Sequence, residues 1–343
     1  MVKHSNSHEV SESTANAAAS REDFIETDIP GHDGIDRRGF LSCMAWAGTG
    51  LVWTMAGGVP TSKLFAASGA AQETGHGSSA GSFSFVQISD SHIGFNKAAN
   101  QDVTGTLKLA IDKINALPVQ PELLLHTGDI TQTSKPEEFD TAAEVIKGVK
   151  AGNVFYVPGE HDTALDDGAQ YHERFGRGTA GQGWYSFNHK GVHFVGLNNV
   201  QQIDAMGKLG ADQVAWLKSD LAGQSVSTPI VLFAHIPLWM VYPDWGWGTE
   251  DGAEALSYLK RFGSVTVLNG HIHQVVQKVE GNVAFHTAAS TAFPQPAPGS
   301  APHSGPMTVP AGKLKSVLGI TDVKFVSRRK PLAVVDSPLE DEA

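Results

Sequence analysis

Short apolar runs that end in small clusters of acidic and histidine residues are the feature that most constrains this chain. The run 83–89 ends at Asp90, and the run 122–126 is followed by Gly128 and Asp129. Apolar runs of this length, bounded by turn residues, are typical of buried strands. In open α/β sheets, ligands bind at the carboxyl edge of the strands. The pattern therefore predicts a layered sheet structure with a polar site at one edge.

Helical patterns alternate with the first strands. Apolar residues recur at helical spacing over 103–117, a pattern that Pro118 ends. Ser134 and Glu137 fit a capping box and predict a helix that reaches about residue 151. This alternation favours an α/β fold, and two later hairpins add antiparallel strands. The remaining predicted elements are strands at 154–157, 184–189, 192–197, 230–234, 265–269, 274–280 and 283–287, and helices at 211–222 and 254–262.

The domain organisation follows from where these patterns begin and end. No linker interrupts residues 83–290, so we expect one catalytic domain there, preceded by a Gly/Ser-rich linker at 71–82. Residues 291–343 are interpreted as a Pro-rich segment and a C-terminal tail. Residues 1–35 show no hydrophobic period and predict a disordered extension.

The segment 36–70 is typical of a secretion signal. Arg37 and Arg38 precede an uncharged stretch at 41–59, and small residues follow. The Arg-Arg-Gly-Phe-Leu run resembles the twin-arginine export signal, whose machinery exports folded proteins. It implies a periplasmic or secreted bacterial protein that meets the membrane only transiently, through the signal. An uncleaved membrane anchor and an ordinary buried helix stay open as alternatives, although four glycines in the stretch disfavour a permanent span.

Composition narrows the classes of function and of metal site. The 343 residues include 25 Lys and Arg against 36 Asp and Glu, a net charge of -11, which disfavours a nucleic-acid scaffold. The single cysteine, Cys43, excludes intrachain disulfides, Cys-based zinc knuckles and iron–sulfur ligation. Histidine is abundant, with 15 residues, so histidines and carboxylates must hold any metal.

The polar clusters themselves have the chemistry of a metal site. Carboxylates with imidazoles suit Zn, Mn, Fe and similar ions. In the Asp-x-His and His-x-His clusters, two side chains point the same way if the backbone is extended. One ion seldom takes seven such ligands, so two ions that share a carboxylate are the simpler interpretation. The seven candidate ligands are Asp90, His92, Asp129, Glu160, His235, His271 and His273.

The order of these clusters resembles the calcineurin-like metallophosphoesterase family over roughly residues 83–275. The family pattern is Asp-x-His, Gly-Asp, Gly-Asn-His with Asp or Glu, a lone His, and Gly-His-x-His. The resemblance implies a four-layer αββα sandwich with two metal ions (Fe, Mn or Zn) at the strand edge. By position, the resemblance implies that the first metal binds Asp90, His92 and His273 and that the second binds Glu160, His235 and His271, with Asp129 bridging both ions. It also implies that His161 contacts the phosphoryl group or the leaving oxygen and that Asp162 orients its neighbours.

Glu160 departs from the family pattern, which has Asn at this position. A carboxylate is a good metal ligand, so we favour retained binding of the second metal over a weakened site. An ionised Glu offers no donor and adds a negative charge. We therefore expect phosphodiesters, such as cyclic nucleotides or phospholipid-like esters, to be favoured over dianionic monoesters. The implied mechanism is attack on phosphorus by a metal-bridging hydroxide, with His161 as proton donor.

Several alternatives stay open at the level of sequence. Glu160 is also compatible with a non-catalytic metal-binding or partner-binding module on the same fold. A third alternative is that the metals carry out redox or amide chemistry. The loop Trp239–Trp247 is interpreted as a substrate wall or as packing, and 293–310 as a lid or an interface. His126 is expected behind the ligands in the core, and His286 mostly away from the site. The sequence does not identify the substrate, the metals or the oligomeric state.

Overall fold

The computed structural model describes residues 52–56, 59–63, 81–326 and 332–341. The chain divides into two compact units, Met1–Gly75 and His76–Ala343. In the first unit, strands β1 (Val52–Ala56) and β2 (Val59–Lys63) pair antiparallel, in place of the helix that one alternative predicted. The paired arginines of the predicted signal lie outside the described residues. No helix in the described part of the chain is both long and apolar enough to cross a membrane.

The second unit contains two mixed sheets. The first sheet has the order β13-β12-β3-β4-β5, in which β3, β4 and β5 are parallel and β12 runs antiparallel to β3. Helices α1 and α2 contact each other and pack on its outer face through buried aliphatic residues. The elements are β3 (Phe83–Ile88), α1 (Val103–Asn115), β4 (Leu123–His126), α2 (Pro136–Ile146), β5 (Asn153–Tyr156), α3 (Glu160–Thr163), α4 (Ala169–Phe175), β12 (Gly319–Phe325) and β13 (Ala333–Pro338).

The second sheet has six strands in the order β10-β11-β9-β8-β7-β6. Its four central strands are parallel, and an antiparallel strand closes each edge, as the two predicted hairpins require. Helices α5 and α6 cover its outer face. The elements are β6 (Tyr185–His189), β7 (Val192–Gly196), α5 (Ala211–Ala222), β8 (Ile230–Phe233), α6 (Gly252–Leu259), β9 (Val265–Asn269), β10 (Gln277–Glu280), β11 (Val283–Thr287) and the short α7 (Leu314–Val317).

Three apolar clusters hold the layers together. One lies between the two sheets and contains Phe85, Leu125, Phe194 and Phe233, all fully buried. The others lie between each sheet and its own helices. The burial of apolar side chains on both faces of each sheet is the main force that stabilises the layers. The four-layer αββα sandwich is confirmed.

Some local predictions were wrong. Helix α2 ends at Ile146 rather than near residue 151, and Glu138 rather than Glu137 closes its first turn by accepting from the Lys135 and Thr133 N–H groups. Ser134 does not cap this helix, because its hydroxyl donates to the His161 carbonyl. Helices α3 and α4 were not predicted, and neither were β12 and β13, which lie in the stretch interpreted as Pro-rich segment and tail.

Candidate metal centre

The candidate ligands lie on loops whose backbone is unusual. Few residues other than glycine adopt positive φ angles, and those that do cluster at functional sites. The loops are fixed by hydrogen bonds between their main chains, so the sandwich holds this conformation in place. The His92 N–H donates to the Asp129 carbonyl at 2.9 Å. The five positive angles at candidate ligands are Asp90 (55°), His92 (42°), Asp129 (52°), His271 (69°) and His273 (53°).

The glycines of these clusters allow the loops to approach each other closely. Gly128 has a φ of +94°, and a Cβ there would lie 2.6 Å from Nδ1 of His235. A Cβ on Gly159 would collide with the Asp129 carboxylate. The glycines are therefore required because a side chain at either position would force the ligand loops apart.

Asp90, His92 and His273 form the first ligand group, and all three are buried. Nε2 of His273 lies 3.2 Å from Nε2 of His92 and 3.2 Å from Oδ1 of Asp90. Ligand atoms bound about 2.1 Å from one ion lie about 3.0 to 3.4 Å from each other. The donor set and its spacing therefore fit one metal ion.

Glu160, His235 and His271 form the second ligand group, which is also buried. Oε2 of Glu160 lies 3.0 Å from Nε2 of His235, and its Oε1 lies 3.0 Å from Nδ1 of His271. Although they lie 3.0 Å apart, Nε2 of His235 and Oε2 of Glu160 do not form a hydrogen bond with each other, and both atoms are buried without a hydrogen-bond partner. This spacing and this orphaned nitrogen fit a second metal ion.

Asp129 lies between the two groups. Its Oδ2 is 3.5 Å from Nε2 of His92 and 3.4 Å from Nε2 of His235. Its other oxygen, Oδ1, accepts a hydrogen bond from the main-chain N–H of His161 at 3.0 Å. One carboxylate oxygen therefore faces a histidine of each ligand group, which is the position that a bridging ligand requires.

Hydrogen bonds behind the rings orient two histidines toward the centre. Nδ1 of His235 donates to the Thr127 carbonyl at 2.7 Å, and Nδ1 of His273 donates to the Phe293 carbonyl at 2.6 Å. A carbonyl only accepts, so the proton is on Nδ1 and the lone pair on Nε2 points at the centre. Such contacts behind metal-binding histidines fix the ring for an ion.

The family model for calcineurin-like phosphoesterases matches residues 83–275, which is more than half of the chain. This protein belongs to that family. The phosphoesterase is 28% identical over 225 residues to a probable glycerophosphodiester phosphodiesterase GpdQ from Arcobacter nitrofigilis, an alignment that covers 60% of this chain and 77% of the relative. It is 26% identical over 216 residues to a 3',5'-cyclic-nucleotide phosphodiesterase from Nostoc sp., with 61% and 79% covered.

Solved structures have the same fold. A dimetal phosphatase from Danio rerio superposes with a TM-score of 0.53 at 14% identity, covering 76% of this chain and 97% of that one. A purple acid phosphatase from yellow lupin gives a TM-score of 0.54 at 11% identity, covering 75% and 52%. The protein is thus a metallophosphoesterase, and its two ligand groups fit the dinuclear metal centre that this family uses.

Electrostatics of the buried phosphoesterase site favour charged carboxylates and one neutral histidine. Burial lowers the pKa of His92 to about 3, which keeps that ring neutral and ready to bind. Burial opposes ionisation of Glu160, but His271 and His235 outweigh it and hold the pKa of Glu160 well below its ordinary value. Burial also opposes protonation of His235, yet the Asp129 and Glu160 carboxylates raise its pKa strongly. The two carboxylates therefore favour a positive charge beside His235, which a metal ion would supply.

His161 and Asp162 lie directly beside the ligand groups. The ring of His161 is 4.9 Å from that of His92, and its Nδ1 donates to the Gln132 carbonyl at 2.8 Å. Burial would lower the pKa of His161, but Asp129 and Glu160 raise it above its ordinary value. Asp162 is fully buried and accepts from the main-chain N–H groups of Gly159, Ile130 and Thr131, so it ties the Glu160 loop to the Asp129 loop.

Other histidines stay away from the ligand groups. His126 is buried behind the loops and pairs with Ser91, as expected of a core residue. His286 pairs with Asp336 at 2.9 Å and belongs to none of the groups of potential metal ligands among the described residues.

Two tryptophans of the aromatic loop after β8 are packed in the interior, which favours the packing interpretation of this loop. Trp245 and Trp247 are buried and lie against Ile272, the residue between two candidate ligands. Sequence reasoning missed Phe293, whose ring packs on His92 and His273. It stands in a Pro-rich stretch with no hydrophobic period, so only its place shortly after a predicted strand could have drawn attention to it.

Proposed function

We propose that this protein is an exported, dinuclear-metal hydrolase that prefers phosphodiesters to phosphomonoesters. The Glu160 carboxylate is the observation that carries the preference. It lies inside the second ligand group, 3.0 Å from nitrogens of both His235 and His271. The centre therefore contains three carboxylates, those of Asp90, Asp129 and Glu160.

The charge of the substrate decides how much this third carboxylate matters. A phosphomonoester is largely dianionic at neutral pH, while a phosphodiester carries one negative charge. Two charges a few ångströms apart repel by about 1 to 4 kcal/mol in partly screened surroundings. The extra charge of Glu160 should therefore penalise monoesters more than diesters. The names of two relatives, a glycerophosphodiester phosphodiesterase and a cyclic-nucleotide phosphodiesterase, support the same class of substrate.

The residues of the site suit hydrolysis in which a proton is delivered to the leaving oxygen. Two cations, held by the two ligand groups and Asp129, would polarise the phosphoryl oxygens and lower the pKa of a bound water. His161 is fixed by its Nδ1 hydrogen bond to Gln132, which leaves Nε2 to carry the catalytic proton. Asp129 and Glu160 raise the pKa of His161, which favours the protonated form that a proton donor requires. Asp162 positions both ligand loops and so acts through them.

The preference is tested with one pair of substrates. We expect the Mn²⁺-loaded protein to hydrolyse bis-p-nitrophenyl phosphate with a higher kcat/KM than p-nitrophenyl phosphate. Glu160→Asn and Glu160→Gln should each raise the monoester-to-diester ratio of kcat/KM by about tenfold, because both remove the charge. Glu137→Gln removes an exposed charge that belongs to neither ligand group and serves as the matched control.

The outcomes separate the alternatives. An unchanged ratio in both Glu160 variants would remove the charge argument. A protein that binds metal but hydrolyses neither ester would favour the non-catalytic binding module, with Glu160 marking the lost chemistry.

Export is the second part of the proposal, and the paired arginines support it. We expect the protein to reach the periplasm or the medium through the twin-arginine machinery, and Arg37→Lys combined with Arg38→Lys to retain it in the cytoplasm. Fractionation of cells that carry either form tests this. Equal export of both forms would contradict it, and membrane-bound protein would favour the uncleaved anchor.

A further inference from the structure

The segment 290–295, which follows β11, closes the back of the ligand loops. It lies outside the part of the chain that the family model matches. The Ser290 hydroxyl donates to the Asp90 carbonyl at 2.8 Å, and the Gln295 amide donates to the His271 carbonyl at 2.9 Å. A segment beyond the family motifs therefore contacts the backbone of both ligand groups.

Phe293 makes the closest contacts from this segment to ligand side chains. The residue is 3% exposed, and its ring centroid lies 4.7 Å from that of His92 and 4.8 Å from that of His273. Its own carbonyl accepts the Nδ1–H of His273 at 2.6 Å. The ring of Phe95 also packs against it, with the two centroids 4.3 Å apart. Phe293 thus holds two of the three ligands in the first group.

The second ligand group lacks such a support. Within residues 81–326, the rings of His235 and His271 pair with each other, and no Phe, Tyr or Trp ring lies against them. Their orientation depends on the Thr127 carbonyl and on the Glu160 carboxylate. The two groups therefore differ in whether a buried aromatic ring restricts the motion of the histidines.

We propose that Phe293 is a positioning residue that raises the metal affinity of the first ligand group selectively. A histidine that is already confined loses less conformational freedom when it binds an ion, so confinement increases affinity. The same ring does not contact the second group and should leave its affinity unchanged. This inference rests on the ligand roles proposed above, but not on the preference for diesters.

Metal titration of the chelator-treated protein tests the proposal without measuring activity. Mn²⁺ binding is followed by calorimetry and electron paramagnetic resonance. We expect Phe293→Ala to weaken one of two Mn²⁺ sites by about tenfold or more, and Phe293→Leu to weaken it less. Phe139→Leu is the matched control, since Phe139 is fully buried in the same core cluster without contacting a ligand.

Two backgrounds assign the affected site. In His271→Ala, only the first group remains complete, and Phe293→Leu should weaken the remaining Mn²⁺ site. In His273→Ala, only the second group remains complete, and the same substitution should leave affinity unchanged. In each background, Mn²⁺ affinity is compared with and without Phe293→Leu. A general loss of stability would weaken binding in both backgrounds and not in His271→Ala alone.

Each outcome decides the proposal. If the original protein binds two Mn²⁺ ions and both Phe293 variants bind them equally well, this inference fails and the proposed function stands. Equal weakening in Phe139→Leu, or in both backgrounds, also overturns it. If the original protein binds no Mn²⁺, the ligand roles fail and this inference fails with them. Should Phe293→Ala not fold, Phe293→Leu decides alone.

Discussion

The two ligand groups are built from the same residue types but are held in different ways. Each combines loops from both sheets, yet all three ligands of the first group have left-handed backbone, compared with only His271 in the second. A buried ring supports the first group, whereas Glu160, from the first turn of a one-turn helix, completes the second. The fold therefore fixes the geometry of the first group, while side-chain chemistry sets the charge of the second.

Asp129 lies between the two groups and faces a histidine of each, so its removal should have the largest effect. We expect Asp129→Ala to reduce kcat/KM for the diester by about a thousandfold or more, because both ions lose a ligand and their shared oxygen. Calorimetry should show that both Mn²⁺ sites weaken. Asp140→Ala, which removes an exposed carboxylate from a surface ion pair, is the control and should change neither quantity. Weakening of a single site would show that Asp129 is not shared.

Replacing Trp247 should weaken both ligand groups equally, because Trp247 supports the backbone segment that carries one histidine of each group. It is 1% exposed and packs against Ile272, which separates His271 from His273. Trp247→Ala should lower the free energy of unfolding by about 3 to 5 kcal/mol, because it leaves a large cavity. Urea unfolding of the metal-free protein measures this loss. Trp216→Ala, at a half-buried position, is the comparison and should lower the free energy of unfolding less. A selective loss of one Mn²⁺ site would contradict a common support.

His161 should matter for proton delivery and not for metal binding. We expect His161→Asn to lower kcat for a diester with an alkyl leaving group by about a hundredfold or more. The loss should be much smaller with a p-nitrophenolate leaving group, which needs no proton. Mn²⁺ stoichiometry should stay at its original value, and the exposed His303→Asn is the control. Equal losses with both leaving groups would argue against proton donation.

The clustering of the candidate ligands could be predicted from sequence because each of them follows a strand closely. A buried apolar run marks the strand, and the sheet brings the strand ends together whatever their distance along the chain. This is why residues as far apart as Asp90 and His273 were assigned to one site, where they lie 3.2 Å apart. The same local logic placed Ala211–Ala222 and Val265–Asn269 at their observed bounds.

The features that sequence reasoning missed depend on contacts without a local signal. Strand β12 contains Thr321, Asp322 and Lys324 among its apolar residues, which obscures the pattern of a buried strand. Its position is set by pairing with β3, more than two hundred residues earlier. The aromatic loop could not be assigned to packing because its neighbour, Ile272, is brought to it only by the folded chain.

The pairing of β12 with β3 has a practical consequence for anyone who shortens the gene. A fragment that stops near residue 310 would still encode every candidate ligand and Phe293, yet β3 would lose its neighbour along one whole edge. An exposed strand edge invites self-association. We expect such a fragment to precipitate, so deletion mapping would misassign catalytic importance to a distal strand whose contribution is architectural.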